Sequence, residues 1–177
     1  MIKISKQDEE KYKAIRDNVS LFIKRASEKY DRPETLLLDI APEIHKGASE
    51  HFFLSQIKTL DLDQESGATY IADLCQNNSD IIPDNYFDLI ICTEVLEHTN
   101  NPFIAVEELL RMVKKGGHIY VSTPFNFRIH GPLPDNWRFT THGLNQLFKN
   151  AEEVLIEDLP DSERDLMPIH YTLIAKK

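Results

Sequence analysis

The segment Thr35-Leu36-Leu37-Leu38-Asp39-Ile40 is apolar almost without interruption, and it narrows the folds open to this chain more than any other feature. A strand with one wet face alternates polar and apolar side chains. A nearly continuous apolar strand has both faces covered, as in a parallel sheet between layers of helices. A second such run, Tyr86-Phe87-Asp88-Leu89-Ile90-Ile91-Cys92, follows the turn residues Pro83-Asp84-Asn85. Further strands fit 56–61, 68–73 and 118–122, with two more at 153–156 and 170–175. Between them lie helical patterns. Ile15, Val19, Phe22, Ile23 and Ala26 recur at three- and four-residue spacing over 11–30, ended by Pro33. A short helix fits 44–53. Asn101-Pro102 opens a helix with Ile104, Ala105, Leu109, Met112 and Val113 on its buried face, followed by Lys114, Lys115 and a stop at Gly116-Gly117. A last helix fits Thr140 or Thr141 to Phe148. The expected fold is α/β, with a mostly parallel seven-stranded sheet, helices on both faces and an antiparallel C-terminal hairpin.

A chain of 177 residues with 41% hydrophobic content can bury one good core, whereas its halves would be marginal. The reading is one domain over 1–177, an N-terminal helical segment at 1–34 leading into an α/β core at 35–177. The net charge of −9 disfavours a nucleic-acid partner. The opening residues MIKISKQDEE lack an apolar core and no apolar stretch is long enough to span a bilayer, so the expected setting is cytoplasmic, with no membrane partner. Cys75 and Cys92 form no CxxC and read as reduced packing residues, and no metal is expected, since His45, His51, His118, His142 and His170 show no ligand spacing.

In an open α/β sheet the ligand lies across the C-terminal ends of the strands. Here those ends read Asp39-Ile40-Ala41-Pro42-Glu43, Asp61-Leu62-Asp63, Asp73-Leu74 and Thr93-Glu94. A rim this acidic repels a pyrophosphate and suits a cation bearing hydroxyls and amines, such as S-adenosylmethionine. Asp61 follows Asp39 by 61 − 39 = 22 residues, near the spacing of about 20 at which an acidic residue meets a ribose in Rossmann units. Asp73 and the next amide, that of Leu74, are placed to read the adenine edge. Taken singly, each aspartate also suits a turn or helix cap.

Tyr86 to His98, an FDLI-type strand running into Val95-Leu96-Glu97-His98, resembles the fourth-strand signature of class I S-adenosylmethionine-dependent methyltransferases. Glu107 to Tyr120 resembles the helix, glycine stop and fifth strand that follow. The resemblance implies a Rossmann-like fold, S-adenosyl-L-methionine as cofactor, and cofactor contacts at Asp39, Ala41, Asp61, Leu62, Asp73, Leu74, Thr93 and Glu94. The family's Asp-x-Gly-x-Gly loop is replaced by Asp39-Ile40-Ala41-Pro42-Glu43, where Pro42 has no N–H and biases Ala41 towards an extended conformation. This loop resembles a variant in methyltransferases of polysaccharide-biosynthesis clusters, in which Glu43 would meet the cofactor's ammonium.

The loop 124–140 follows the fifth strand and should hang over the same end of the sheet. Its Asp135-Asn136-Trp137-Arg138-Phe139-Thr140 core is similar to an Asp-x-Trp-Arg-Phe/Tyr-Thr motif of methyltransferases in glycan and small-molecule pathways. His130 is the candidate general base, and His98, Asp135, Trp137 and Arg138 are candidate acceptor-side residues. Trp137 and Phe139 serve equally well as anchors on the core, Arg138 as partner of an acidic rim residue, and His98 as a hydrogen-bonding support of its turn. The expected acceptor is a small molecule, sugar or glycan precursor, methylated on oxygen before nitrogen, and a homodimer is compatible. The competing reading is a catalytically inactive methyltransferase-like binding or regulatory domain, because the first loop departs from the family pattern.

Overall fold

The computed structural model describes residues 3–42 and 45–177. Helix α1 (Lys6–Tyr30) begins ahead of its apolar periodicity because Ser5 and Asp8 form a capping box, each side chain accepting from the other's backbone N–H. Its buried residues are Ile15, Val19, Phe22, Ile23 and Ala26, those the periodicity marks. The Asp31 carboxylate then accepts the N–H groups of Phe53, Leu54 and Ser55, tying the end of α1 to the start of the second strand.

Strands β1 (Leu36–Ile40), β2 (Gln56–Asp61), β3 (Tyr70–Ile71), β4 (Phe87–Thr93), β5 (Val113–Pro124), β6 (Glu153–Leu159) and β7 (His170–Lys176) form a seven-stranded sheet in the order β3-β2-β1-β4-β5-β7-β6. All neighbours are parallel except β7, which runs antiparallel to both β5 and β6. Helices α2 (Pro102–Met112) and α3 (Thr141–Leu147) cover one face and α1 the other. Burial of β1 shows why its sequence has no alternation. Leu37 packs under α1 and Leu38 under α2 and α3, both fully buried. The chain runs outward from β1 through β2 to β3 and returns to β4 on the other side of β1, so the topological switch point lies between β1 and β4.

Several elements differ from the sequence reading, β5 starting five residues earlier and β6 ending three residues later than expected. The third strand shrinks to Tyr70–Ile71 because Thr69 is already bonded to Thr59 through side chain and backbone. In the described part of 44–53 the expected helix is replaced by 3-10 structure at His45 and over Gly47–Glu50, broken at Lys46, where Lys46 and Gly47 adopt positive φ, a conformation that does not continue a right-handed helix. Helix α2 is capped by Asn101, as its sequence indicates, but stops at Met112, and Val113 already pairs with Phe87 in the sheet. The glycine pair therefore serves the strand, not a helix stop. Lys114 reaches Asp88 at 2.7 Å, and a side chain on Gly117 would come within 2.9 Å of the Asp88 carbonyl. Ile104 is 41% exposed and Val106 takes its place in the core.

Candidate active site

A pocket of about 320 Å³ opens at the C-terminal ends of β1, β2 and β4, at the switch point. Ala41, Asp61, Leu62, Asp73, Leu74, Thr93 and Glu94 line it, bringing together most of the rim expected from the strand ends. Asp61 Oδ1 accepts the Asp63 N–H at 2.9 Å and Asp73 Oδ1 the Cys75 N–H at 2.8 Å. Each aspartate thus holds a turn with one oxygen while lining the pocket. Glu94, at φ 56° just beyond β4, spends Oε1 on Ser122 (2.8 Å) and the buried His170 (2.7 Å). Burial pushes its carboxyl upward, but His170 and Ser122 outweigh that and hold it below the usual range.

Asp39 corrects the expectation. Its side chain is 2% exposed and turned into the loop, where Oδ2 accepts the Ala48 N–H at 2.6 Å, and it does not line the pocket. Burial raises its pKa to about 7, only partly offset by that hydrogen bond. Glu43 lies outside the described residues. Ala41 adopts φ 47°, not the extended conformation expected before Pro42, because the chain must turn out of β1 while its N–H still reaches the Leu60 carbonyl at 2.8 Å. The close approach that a glycine-rich loop would provide is made by Gly47. A Cβ there would collide with the Asp39 carboxylate and lie 2.8 Å from Pro42 Cβ. Gly47 was missed because its partner is eight positions back, outside the family spacing.

The opposite wall comes from α1. Tyr12, Arg16 and Ser20 face the pocket beside Ile15, Val19 and Ile23. The sequence signal was present in principle, as a polar ridge at i, i+4 and i+8 flanking the apolar stripe, but polar residues there read as solvated until the sheet shows what they face.

The third wall contains His98, Phe127, His130, Gly131 and Pro132. Asp135, Trp137 and Arg138 do not line the pocket and build its loop instead, which corrects their placement as acceptor-side residues. Asp135 accepts the His130 N–H at 3.0 Å and its Nδ1 at 3.1 Å, and is gripped by Arg138 Nη1 at 2.5 Å and Nη2 at 2.8 Å. Arg138 also donates to the carbonyls of Arg128 and Trp137. Burial pushes the Asp135 carboxyl up, but Arg138 and His130 hold it far below the ordinary range. Trp137 Nε1 donates to the Thr99 carbonyl at 2.8 Å, and its ring stacks on Phe139. His98 Nδ1 meets the Pro134 carbonyl at 2.8 Å, pinning the loop to the 3-10 turn Leu96–His98.

These contacts fix both histidine tautomers. A carbonyl and an ionised carboxylate only accept, so Nδ1 of His98 and of His130 carries a proton, and the lone pair of either ring in its neutral form is on Nε2. Burial lowers the His130 pKa, with Asp135 acting the other way, so that ring is neutral at neutral pH. Glu97 stands behind both rings, fully buried, with neither carboxylate oxygen hydrogen-bonded. Its Oε1 is 3.7 Å from His98 Nε2 and 3.9 Å from His130 Nε2. Burial, reinforced by the charge of Glu94, raises its pKa well above the usual value.

A family model described as a methyltransferase domain matches residues 20–121, more than half of the chain. The chain belongs to the methyltransferase-domain family. This methyltransferase domain is 32% identical over 123 residues to the ubiquinone biosynthesis O-methyltransferase of Vibrio cholerae, covering 62% of this chain and 48% of that protein. The enzyme of the same name from Pectobacterium atrosepticum is 27% identical over 128 residues, 64% of this chain and 51% of that one. The chain spans about half the length of these curated relatives. Among solved structures, a SAM-dependent methyltransferase from Archaeoglobus fulgidus superposes with a TM-score of 0.67 at 16% identity, over 92% of this chain and 94% of that one. Phosphoethanolamine N-methyltransferase 2 of Haemonchus contortus, in complex with S-adenosyl-L-methionine, gives 0.67 at 14% identity over 91% and 52%. The fold is the Rossmann-like class I methyltransferase fold. The matched segment of this methyltransferase domain holds Asp61, Asp73, Glu94 and Glu97, whereas His130 and its loop lie beyond it.

Proposed function

We propose that this chain is a cytoplasmic enzyme transferring a methyl group from S-adenosylmethionine to a hydroxyl of a small-molecule, sugar or glycan-precursor acceptor. The observation that carries this reading is one pocket lined by the strand-end carboxylates of Asp61 and Asp73 and by His130, whose Nδ1 is held by Asp135. The cofactor, when bound, supplies a methyl group on a cationic sulfonium. The pocket fits it, since Asp61 can accept from both ribose hydroxyls, Asp73 from the adenine amine, and Arg16 can pair with its carboxylate across the pocket. Glu94 adds negative charge beside the expected position of the sulfonium.

In-line displacement needs an oriented acceptor and little else. A hydroxyl must also lose its proton, and His130, neutral and aimed by Asp135, can accept it at Nε2. That need favours oxygen as the methylated atom, in keeping with the O-methyltransferase names of the relatives. The Asp135-to-Thr140 motif supports the glycan or small-molecule direction and, with it, a place in polysaccharide biosynthesis.

The test is calorimetry with S-adenosylhomocysteine, followed by a methyl-transfer assay over a panel of sugar, phenol and amine acceptors. Asp61→Ala should weaken product binding by about 1.5–3 kcal/mol, the range for hydrogen bonds involving a charged group. His130→Ala should leave that binding unchanged while turnover falls by about 10²–10⁴-fold. A wild-type chain that binds no S-adenosylhomocysteine would sink the proposal.

A further inference from the structure

The convergence of Glu97, His98 and His130 is not explained by cofactor binding. Three potential ligand atoms, one carboxyl oxygen and one imidazole nitrogen from each histidine, lie within 4.8 Å of one another. No hydrogen joins them, since the contacts of 3.7 and 3.9 Å are too long for hydrogen bonds and both Nδ1 protons point away, to Pro134 and Asp135. Buried polar atoms without partners are rare, and here both oxygens of one fully buried carboxylate lack them. A cation between the three groups would displace the Glu97 carboxyl proton and draw the three donor atoms together.

We propose that Glu97, His98 and His130 form a binding site for one divalent first-row transition cation, of which Zn²⁺ is the probe. Two imidazoles and a carboxylate are the donor set such ions prefer, whereas magnesium and calcium favour oxygen alone. The outer contacts match those of metal-bound histidines, whose other ring nitrogen donates to a carbonyl or a carboxylate. Separations of 3.7 and 3.9 Å need to close by only a few tenths of an ångström, because ligands about 2.0–2.1 Å from a tetrahedral ion lie roughly 3.4 Å apart. The site is backed by Glu97 and fronted by the pocket, which His98 and His130 line, so the fourth position opens where the acceptor would bind.

This inference goes beyond the proposed function. An ion on His130 Nε2 would occupy the lone pair otherwise available to a hydroxyl proton, so loading trades proton transfer to histidine for coordination of the hydroxyl to the ion.

The experiment is calorimetric titration of Zn²⁺ into the full chain, stripped beforehand with a chelator and free of cofactor and acceptor. Co²⁺ binding is followed in parallel through its visible absorption. One Zn²⁺ per chain is expected, with affinity at least tenfold weaker in His98→Ala and in Glu97→Gln, and unchanged in the distant His142→Ala. Intense visible bands of four-coordinate Co²⁺ should appear in the wild type and vanish in His98→Ala. Circular dichroism identifies any variant that has not folded, and Glu97→Gln keeps the shape of the buried side chain. Absence of stoichiometric Zn²⁺ binding, or equal binding by wild type and both folded site variants, overturns the proposal. S-adenosylhomocysteine calorimetry under chelator reads the cofactor site separately, so either proposal can fall without the other.

Discussion

At the scale of single residues, Asp39 illustrates how burial changes the work of a charged side chain. It occupies the position that opens the family's first loop, yet its carboxyl faces inward and holds the Ala48 N–H at 2.6 Å. Its pKa rises from 3.8 to about 7. Between those values the folded chain keeps a proton that the unfolded chain has released, so this residue makes stability fall as pH rises through the window. Asp39→Asn preserves the acceptor oxygen and cannot ionise. Urea midpoints measured at several values from pH 4 to pH 8 should therefore decline less with pH in the variant than in the wild type, and identical slopes would show that Asp39 ionises normally. Neighbouring Gly47 was invisible for a related reason. A glycine is required wherever backbone approaches a side chain closely, and sequence spacing does not reveal that Asp39 is the side chain in question.

At the scale of elements, the loop after β5 is ordered by one ion pair more than by its prolines and aromatics. Asp135 and Arg138 meet through both terminal guanidinium nitrogens, and Arg138 also donates to the backbone carbonyls of Phe127, Arg128 and Trp137. Lysine keeps the charge but cannot reproduce that fork. Arg138→Lys should therefore loosen the loop and misorient His130, lowering turnover while leaving S-adenosylhomocysteine affinity within about twofold, because the cofactor end is built by other strands. Parallel kinetic and calorimetric measurements check this, and unchanged kcat would show that the loop is ordered without the fork. Arg138 is half-legible in sequence, since a charge pair is expected of it but with a rim carboxylate. Its partner is instead Asp135, three positions away in the same loop, a residue whose sequence context points to the acceptor.

At the scale of the whole molecule, one sheet carries two hydrophobic layers, α1 on one face and α2 with α3 on the other. Both layers use β1, β4 and β5, so neither can be lost without uncovering the other's strands. Phe22→Ala under α1 and Leu109→Ala in α2 should each cost about 2–5 kcal/mol. Each should shift a single transition in which circular dichroism and the fluorescence of the lone tryptophan, Trp137, coincide. Two separated transitions would show that the faces unfold independently. The same architecture explains what could be read in advance. Near-continuous apolar runs such as Leu36 to Ile40 determine a sheet buried on both sides, and periodicity determines the face of α1, because local side-chain pattern directly records which surfaces must leave water. Strand-end carboxylates likewise mark the end of the sheet at which the pocket opens. Only the tertiary structure decided that Asp39 turns inward while Asp61 and Asp73 face the pocket, that Tyr12, Arg16 and Ser20 close it from α1, and that Glu97 stands without a hydrogen bond beside two histidines. These are relations between residues far apart in the chain, set by register and packing, and no local pattern encodes which side chain a distant segment will bring opposite.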